Sequence, residues 1–410
     1  MLRYHPWGLS AAALLLLLPQ PSLAAGRPGI ARSFPSQTTQ HHTAPRAHTV
    51  GLGTVLSTSD GGTIFGWDIN QSGNDGVLTT ATDVGVGKVK VSVETFDQTT
   101  GKITKTFAKA VGNTTSYSMD GIFAGDVALV THFDGHKNPL SPLRDYDVMK
   151  PVTANRLTGQ LNTPFQLDFG GAAENQTTTT SALYMFDMRK NAFTPDLVVA
   201  DIATNSISKI IPLDPAHFSA QNGTQIAQDT KTNQAMLAGS NTGAPGGPPP
   251  YLQLVDLSSG KTKTFQLLNG GPFGAGFVNG LAVDSNTGIA AATTELNAQV
   301  QFINLATQVS IGVQLPGTGP SSQGSSGLAV ALDPINKLFL VAQPISSTAS
   351  SGSSIQVFDE AGNFIESING FNFAQTFQVT PIRIAVNPAK RMGFVDGPGS
   401  PATNLQQFFY

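Results

Sequence analysis

Four phrases in the C-terminal half end an apolar run on Asp or Asn: Ile226-Ala-Gln-Asp229, Leu281-Ala-Val-Asp284, Leu328-Ala-Val-Ala-Leu-Asp333 and Ile384-Ala-Val-Asn387. Their last residues lie 55, 49 and 54 positions apart. Spacing this regular marks a repeat architecture, in which one unit cannot bury its apolar face alone and must stack on its neighbours. A second set of phrases falls between the first and ends on Asp201, Asp256, Asn304 and Asp359, at intervals of 55, 48 and 55. Asp97 ends an earlier copy, 104 residues before Asp201, which is two periods.

Each unit reads as strand, Asp-containing turn, strand, variable connection, strand, Asp-x-x-x-Gly turn, strand. Val300 and Phe302 alternate with Gln299 and Gln301, the pattern of a half-buried strand. Ile289–Thr293 and Leu338–Ala342 are continuously apolar, as expected of strands covered on both faces. Asp, Asn and Gly fall where strands must reverse, because they tolerate left-handed backbone. No sustained 3.6-residue apolar period follows the N-terminal segment, so the expected class is all-β.

Four strands in about 50 residues is the size of a propeller blade. Residues 46–410 hold seven such periods, with expected units near 47–111, 112–170, 171–216, 217–272, 273–320, 321–375 and 376–410. The last is one strand short. The expected architecture is a seven-bladed β-propeller of four-stranded antiparallel blades, closed by an N-terminal strand from within residues 30–56, which removes two exposed sheet edges.

Three segments are expected: a signal peptide at 1–24, a disordered leader at 25–46 and one propeller domain at 47–410. Arg3, the apolar stretch Leu9–Leu18 and Ser22-Leu23-Ala24 have the order of a secretory signal with its cleavage site. The apolar stretch is too short to span a bilayer, and no other approaches ~20 residues. The leader is rich in Pro, Ser and Thr, and its His41, His42 and His48 read as solvated. Export to the periplasm, the cell surface or the medium is therefore expected, as a monomer.

Charged residues make up 12% of the chain and the net charge is −3, which leaves no basic stripe for nucleic acid. There is no cysteine, so burial alone must hold the fold together. Partners expected from this surface are a protein, an extracellular polymer or a small ligand.

The phrases Ile384-Ala-Val-Asn387-Pro388, Leu281-Ala-Val-Asp284 and Asp201-Ile-Ala-Thr-Asn205 resemble the YVTN-type, surface-layer-like repeats of exported seven-bladed propellers. Weak equivalents of the Tyr-Val-Thr-Asn core stand at Phe339–Ala342 and Ala291–Thr294. The resemblance implies the architecture. That family holds structural surface proteins, binding modules and a few lactone hydrolases, so it implies no one function.

Two clusters could carry chemistry. In the loop 68–76, Asp68, Asn70 and Ser72 place oxygen side chains at alternate positions before Gly73, like the first half of a calcium loop. Thr79 stands where the bidentate Glu would be, and Asp75 could compensate. The competing reading is a polar inter-strand loop. His132, Asp134 and His136 would share one face of a strand as a metal site or a base with its orienting acid. Against this, Gly135, Pro139 and Pro142 mark a loop, and the insertion 132–156 is read as irregular. Trp67-Asp68 is an isolated Trp-Asp pair, and no nucleophile elbow or dinucleotide fingerprint exists. The expected function is an exported binding or structural module. The alternative is a lactonase-like propeller hydrolase using a divalent cation at the central channel.

Overall fold

The computed structural model describes residues 50–133, 144–149, 159–160, 167–173, 178–187, 194–214, 225–239, 251–266, 278–317, 328–344, 353–372, 382–397 and 402–410, apart from 86, 114–116, 125–126, 205 and 295–296. The segments 1–24 and 25–46 lie outside the described residues. Every described element of regular structure is a strand.

Strand β1 covers Gly51–Ser57, followed by β2 (Thr63–Ile69), β3 (Asp75–Gly85), β4 (Lys88–Asp97) and β5 (Lys102–Asn113). Next come β6 (Tyr117–Ala124), β7 (Val127–Phe133), β8 (Arg144–Met149) and β9 (Gly159–Gln160). The middle of the chain gives β10 (Leu167–Ala172), β11 (Thr180–Asp187), β12 (Thr194–Asp201) and β13 (Ser206–Pro212). Then follow β14 (Gln225–Asp229), β15 (Gln234–Gly239), β16 (Tyr251–Asp256) and β17 (Thr262–Gln266). The next unit has β18 (Val278–Asp284), β19 (Ile289–Thr294), β20 (Asn297–Asn304) and β21 (Val309–Gln314). Last are β22 (Ala329–Asp333), β23 (Leu338–Gln343), β24 (Ser353–Asp359), β25 (Phe364–Phe371), β26 (Ile384–Asn387), β27 (Met392–Asp396) and β28 (Asn404–Phe409).

These strands form four-stranded antiparallel blades, and among the described residues the sheets number seven. Six are sequential meanders, from β2–β5 through β22–β25, and the other has the order β1-β28-β27-β26. Strand β1 pairs antiparallel with β28, from Gly51 opposite Phe409 to Ser57 opposite Asn404. The first meander therefore begins at Thr63 and not near residue 47. The first strand of each sheet packs beside the first strand of the next, β2 by β6, β14 by β18, β18 by β22 and β22 by β26, and β26 also lies against β2. An all-β propeller results.

The core lies between sheets. Phe302 of one sheet meets Phe339 and Phe358 of the next edge-on, with ring centroids 5.6 and 5.9 Å apart. Such contacts add to the area each ring removes from water. Because both faces of a blade meet a neighbour, alternation is a poor guide to burial. Gln301, expected on a wet face, is only 1% exposed. The continuous runs behave as expected: every residue of β23 is buried. Of residues 132–156, those at 132–133 and 144–149 are described, and they lie in strands. They contain β8, whose Tyr146 and Val148 pair with Thr131 and Leu129 of β7.

The repeated Asp and Asn residues all sit where a first or third strand ends. Asp333 Oδ1 accepts from the backbone N–H groups of Ile335 and Asn336 at 3.0 and 2.9 Å. Asp229 does the same for Lys231 and Thr232, and Asp256 for Ser258 and Ser259. Each turn then needs one left-handed residue. Gly101, Gly260, Gly288 and Gly362 supply it in four turns, while Asn233, Gln308, Lys337 and Arg391 adopt it in others, with φ between 48° and 59°.

Candidate functional site

Two ends of the ring follow from this topology. At one end lie the short turns that join first to second and third to fourth strands. At the other end second and fourth strands finish and first and third strands begin, as at Gly239, Gln266, Val278 and Tyr251.

At the turn end, the side chains face inward. Asp229, Asp284, Asp333 and Asn387 are each at most 2% exposed. The residue just after five of the third strands folds back on its own blade. Backbone N–H groups of Gln98, Ile202, Leu257, Leu305 and Tyr410 donate to the carbonyls of Asn74, Thr179, Asn233, Gly288 and Arg391, at 2.7–3.2 Å. This directs the side chain into the seam with the preceding sheet. Leu257 and Leu305 fill it with apolar contact. Tyr410 Oη instead donates to Asp333 Oδ2 at 3.0 Å. Gln98 Oε1 accepts from Asn387 Nδ2 at 2.8 Å. Burial and the facing Asp333 push the Tyr410 hydroxyl up, so it stays a donor, and Arg391 lies over its ring.

The loop 68–76 belongs to the seam between β26–β28–β1 and β2–β5. Asn70 Oδ1 accepts from Ser72 N, Ser72 Oγ and Gly73 N at 3.0, 2.8 and 3.1 Å. Asp75 Oδ2 accepts from Asn70 Nδ2 at 3.4 Å, and Asp68 Oδ1 from the Ile69 N–H. The loop's carbonyls serve the seam, with Gln98 Nε2 donating to Asn70 O and Asp75 O at 2.7 and 2.8 Å. Burial raises the Asp75 carboxyl, and burial lowers the nearby Lys390 ammonium, which donates to Asn74. The structure thus gathers the four candidate residues into one turn that caps a seam.

His132 lies near the end of β7, opposite Ser118 and Asp145 in register. Asp134 and His136 lie outside the described residues. Among the described residues, no three His, Cys, Asp or Glu side chains gather as a group able to hold a metal ion.

The same seam is polar toward its other end. Glu94 is fully buried in β4, and its carboxylate accepts from Ser59 N at 3.2–3.3 Å, from Ser59 Oγ and from Thr106 Oγ1 at 3.2 Å. Beside it Lys90 pairs with Asp60 at 2.9 Å. Burial pulls the Asp60 carboxyl up, but hydrogen bonds from Lys90, Thr82 and Gly62 outweigh it and hold the group below its ordinary value. Trp67 Nε1 donates to Asp396 Oδ1 at 2.6 Å, and the Arg383 N–H to Oδ2 at 2.7 Å. Burial pushes the Asp396 carboxyl up to about 6. None of Glu94, Asp396 and Gln98 was legible as a site residue. For Gln98 the sequence signal is polarity where other units carry Ile202, Leu257 and Leu305; Glu94 stands where others carry Gln253, Gln301 and Gln356, so polarity alone does not mark it.

No family model matches the chain, and no curated protein matches it. Solved structures do match over nearly their whole length. A chain of the mitotic checkpoint complex is 15% identical, with 97% of this chain and 99% of that one covered, at a TM-score of 0.56. The WD40 repeats of RRP9 are 9% identical over 88% and 99%, at 0.58. A chain of hydrazine synthase from Kuenenia stuttgartiensis is 10% identical over 87% and 98%, at 0.54. Identity this low establishes the WD40-like propeller fold alone.

Proposed function

We propose that the chain is an exported seven-bladed propeller of YVTN-like type, closed by β1, that acts as a binding or structural module. Its partner, a protein, an extracellular polymer or a small ligand, meets the end of the ring opposite the short turns. One observation carries this reading: Asp229, Asp284, Asp333 and Asn387 are buried and committed to turns and seams, so the repeated polar residues have little left to offer a partner. Chain length between second and third strands varies, from two residues between β19 and β20 to eleven between β15 and β16. Variable connections on a rigid scaffold are where recognition is ordinarily built. The pairing of β1 with β28 and the packing of β26 on β2 support a closed ring. Support for export comes from the order of charge, apolar stretch and small residues in 1–24.

Two variants separate the ends. One replaces residues 243–250 with a Gly-Ser linker, and the other combines Lys231→Ala with Asn286→Ala at the turns. Both are compared with the full chain on an array of glycans and peptides, after N-terminal sequencing of the exported product. Loss of binding with the first variant only is expected. Loss with the second only would overturn the assignment of the face, and retention of the full chain in the cytoplasm would overturn export.

A further inference from the structure

Three seams at the turn end are polar, and the same two positions of the repeat meet in each. At the first, Asn387 donates to Gln98. At the second, Tyr410 donates to Asp333. At the third, between β18–β21 and β22–β25, the positions hold Asp284 and Glu360, whose carboxyl groups lie within hydrogen-bonding reach of each other. Asp284 is fully buried; its Oδ1 accepts from Asn286 N at 2.7 Å, while among the described residues no group donates to its Oδ2. Glu360 Oε1 accepts from Thr287 Oγ1 at 2.8 Å. Two ionised carboxylates offer only acceptors, so this seam lacks the hydrogen that the other two possess.

We propose that Glu360 binds a proton and donates it to Asp284 Oδ2, making this seam a pH-sensitive joint that tightens on mild acidification and loosens above neutrality. Burial, then the facing Asp284, pushes the Glu360 carboxyl up to about 7. Among the described residues, other charged groups around the joint are few. Lys337, in the first turn of the same sheet, opposes the rise. Lys231 reaches over from the preceding sheet to Asn286 O, and Asp359 adjoins Glu360 with its carboxylate held by Ala361 and Asn363. The Lys337 ammonium also disfavours a metal cation between the two carboxylates. Because the folded-state value lies above the ordinary 4.5, the stabilisation is full at acid pH and is lost as pH rises through about 7.

Thermal melting of the full chain from about pH 5 to about pH 8 tests this, with Glu360→Gln and Glu360→Leu beside it. The first variant recreates the donor of Gln98, and the second recreates the apolar plug of Leu305. The wild type is expected to lose about 1–3 °C more than either variant across that range. Should the Gln variant fail to fold, the Leu variant carries the comparison. Identical pH profiles for all folded chains would overturn the proposal. So would calcium chloride restoring the wild type alone at the alkaline end, since a cation and not a proton would then fill the gap.

Discussion

Between β18–β21 and β22–β25 the contact is mainly a stack of rings and aliphatic chains, Phe302, Phe339 and Phe358 with Val300, Val330 and Val341. Between β26–β28–β1 and β2–β5 an apolar part remains, with Phe96 edge-on to Phe394 at 5.3 Å, but hydrogen bonds surround it. Gln98 alone joins Asn70, Asp75, Asn387 and Gln407 there, and its partner Asn387 is 289 residues away. The first seam joins neighbours in the chain, with fourteen residues between β21 and β22. The second joins sequence-distant elements, where closure entropy is greatest and register is otherwise free to slip. Apolar burial is non-directional, so it holds the first seam well but cannot by itself fix the second. Directional bonds supply what is missing.

Three substitutions sharpen that contrast, each read by denaturant unfolding of the full chain. Phe339→Ala empties the centre of the ring stack and is expected to cost about 3–5 kcal/mol. A loss under ~1 kcal/mol there would show that the seam is not held by packing. Gln98→Leu keeps volume but takes one donor from each of the buried carbonyls of Asn70 and Asp75 and removes the side-chain acceptor of Asn387, at a cost of about 2–3 kcal/mol. Since Leu257 and Leu305 occupy the same position elsewhere, a neutral result would break the comparison by making the closing seam as tolerant as the others. Tyr410→Phe removes one hydroxyl from Asp333 and retains the ring, for about 1 kcal/mol. An effect as large as that of Gln98→Leu would place the greater polar demand at the C-terminus.

Much of the fold was legible because the blade repeats with a period near 52 and its turn residues do not vary in kind. Asp229, Asp284 and Asp333 could be read as turn-formers from their place at the end of apolar runs, and the structure finds them in that role. The strand β8 was missed because Pro139, Pro142 and Gly135 nearby outweighed a short alternation at Tyr146 and Val148. The buried Gln301 was missed because one strand does not reveal that both its faces will be covered. For the loop 68–76, spacing alone resembled a cation loop, yet the Asn70 amide oxygen accepts three hydrogen bonds from its own turn.

What the sequence determined by itself is what local chemistry dictates: strands from apolar runs, turns from Asp, Asn and Gly, and a unit length that only a ring of blades accommodates. Tertiary structure decided which positions face each other across a seam. Gln98, Glu360 and Tyr410 occupy one place in the repeat, but whether each meets a donor or an acceptor depends on the preceding sheet. Asn387 gives Gln98 a donor, Asp333 receives the Tyr410 proton, and Asp284 meets Glu360 with neither. That pairing arises from residues about 75 or more apart, beyond the reach of any local pattern, and it sets the electrostatics of each joint.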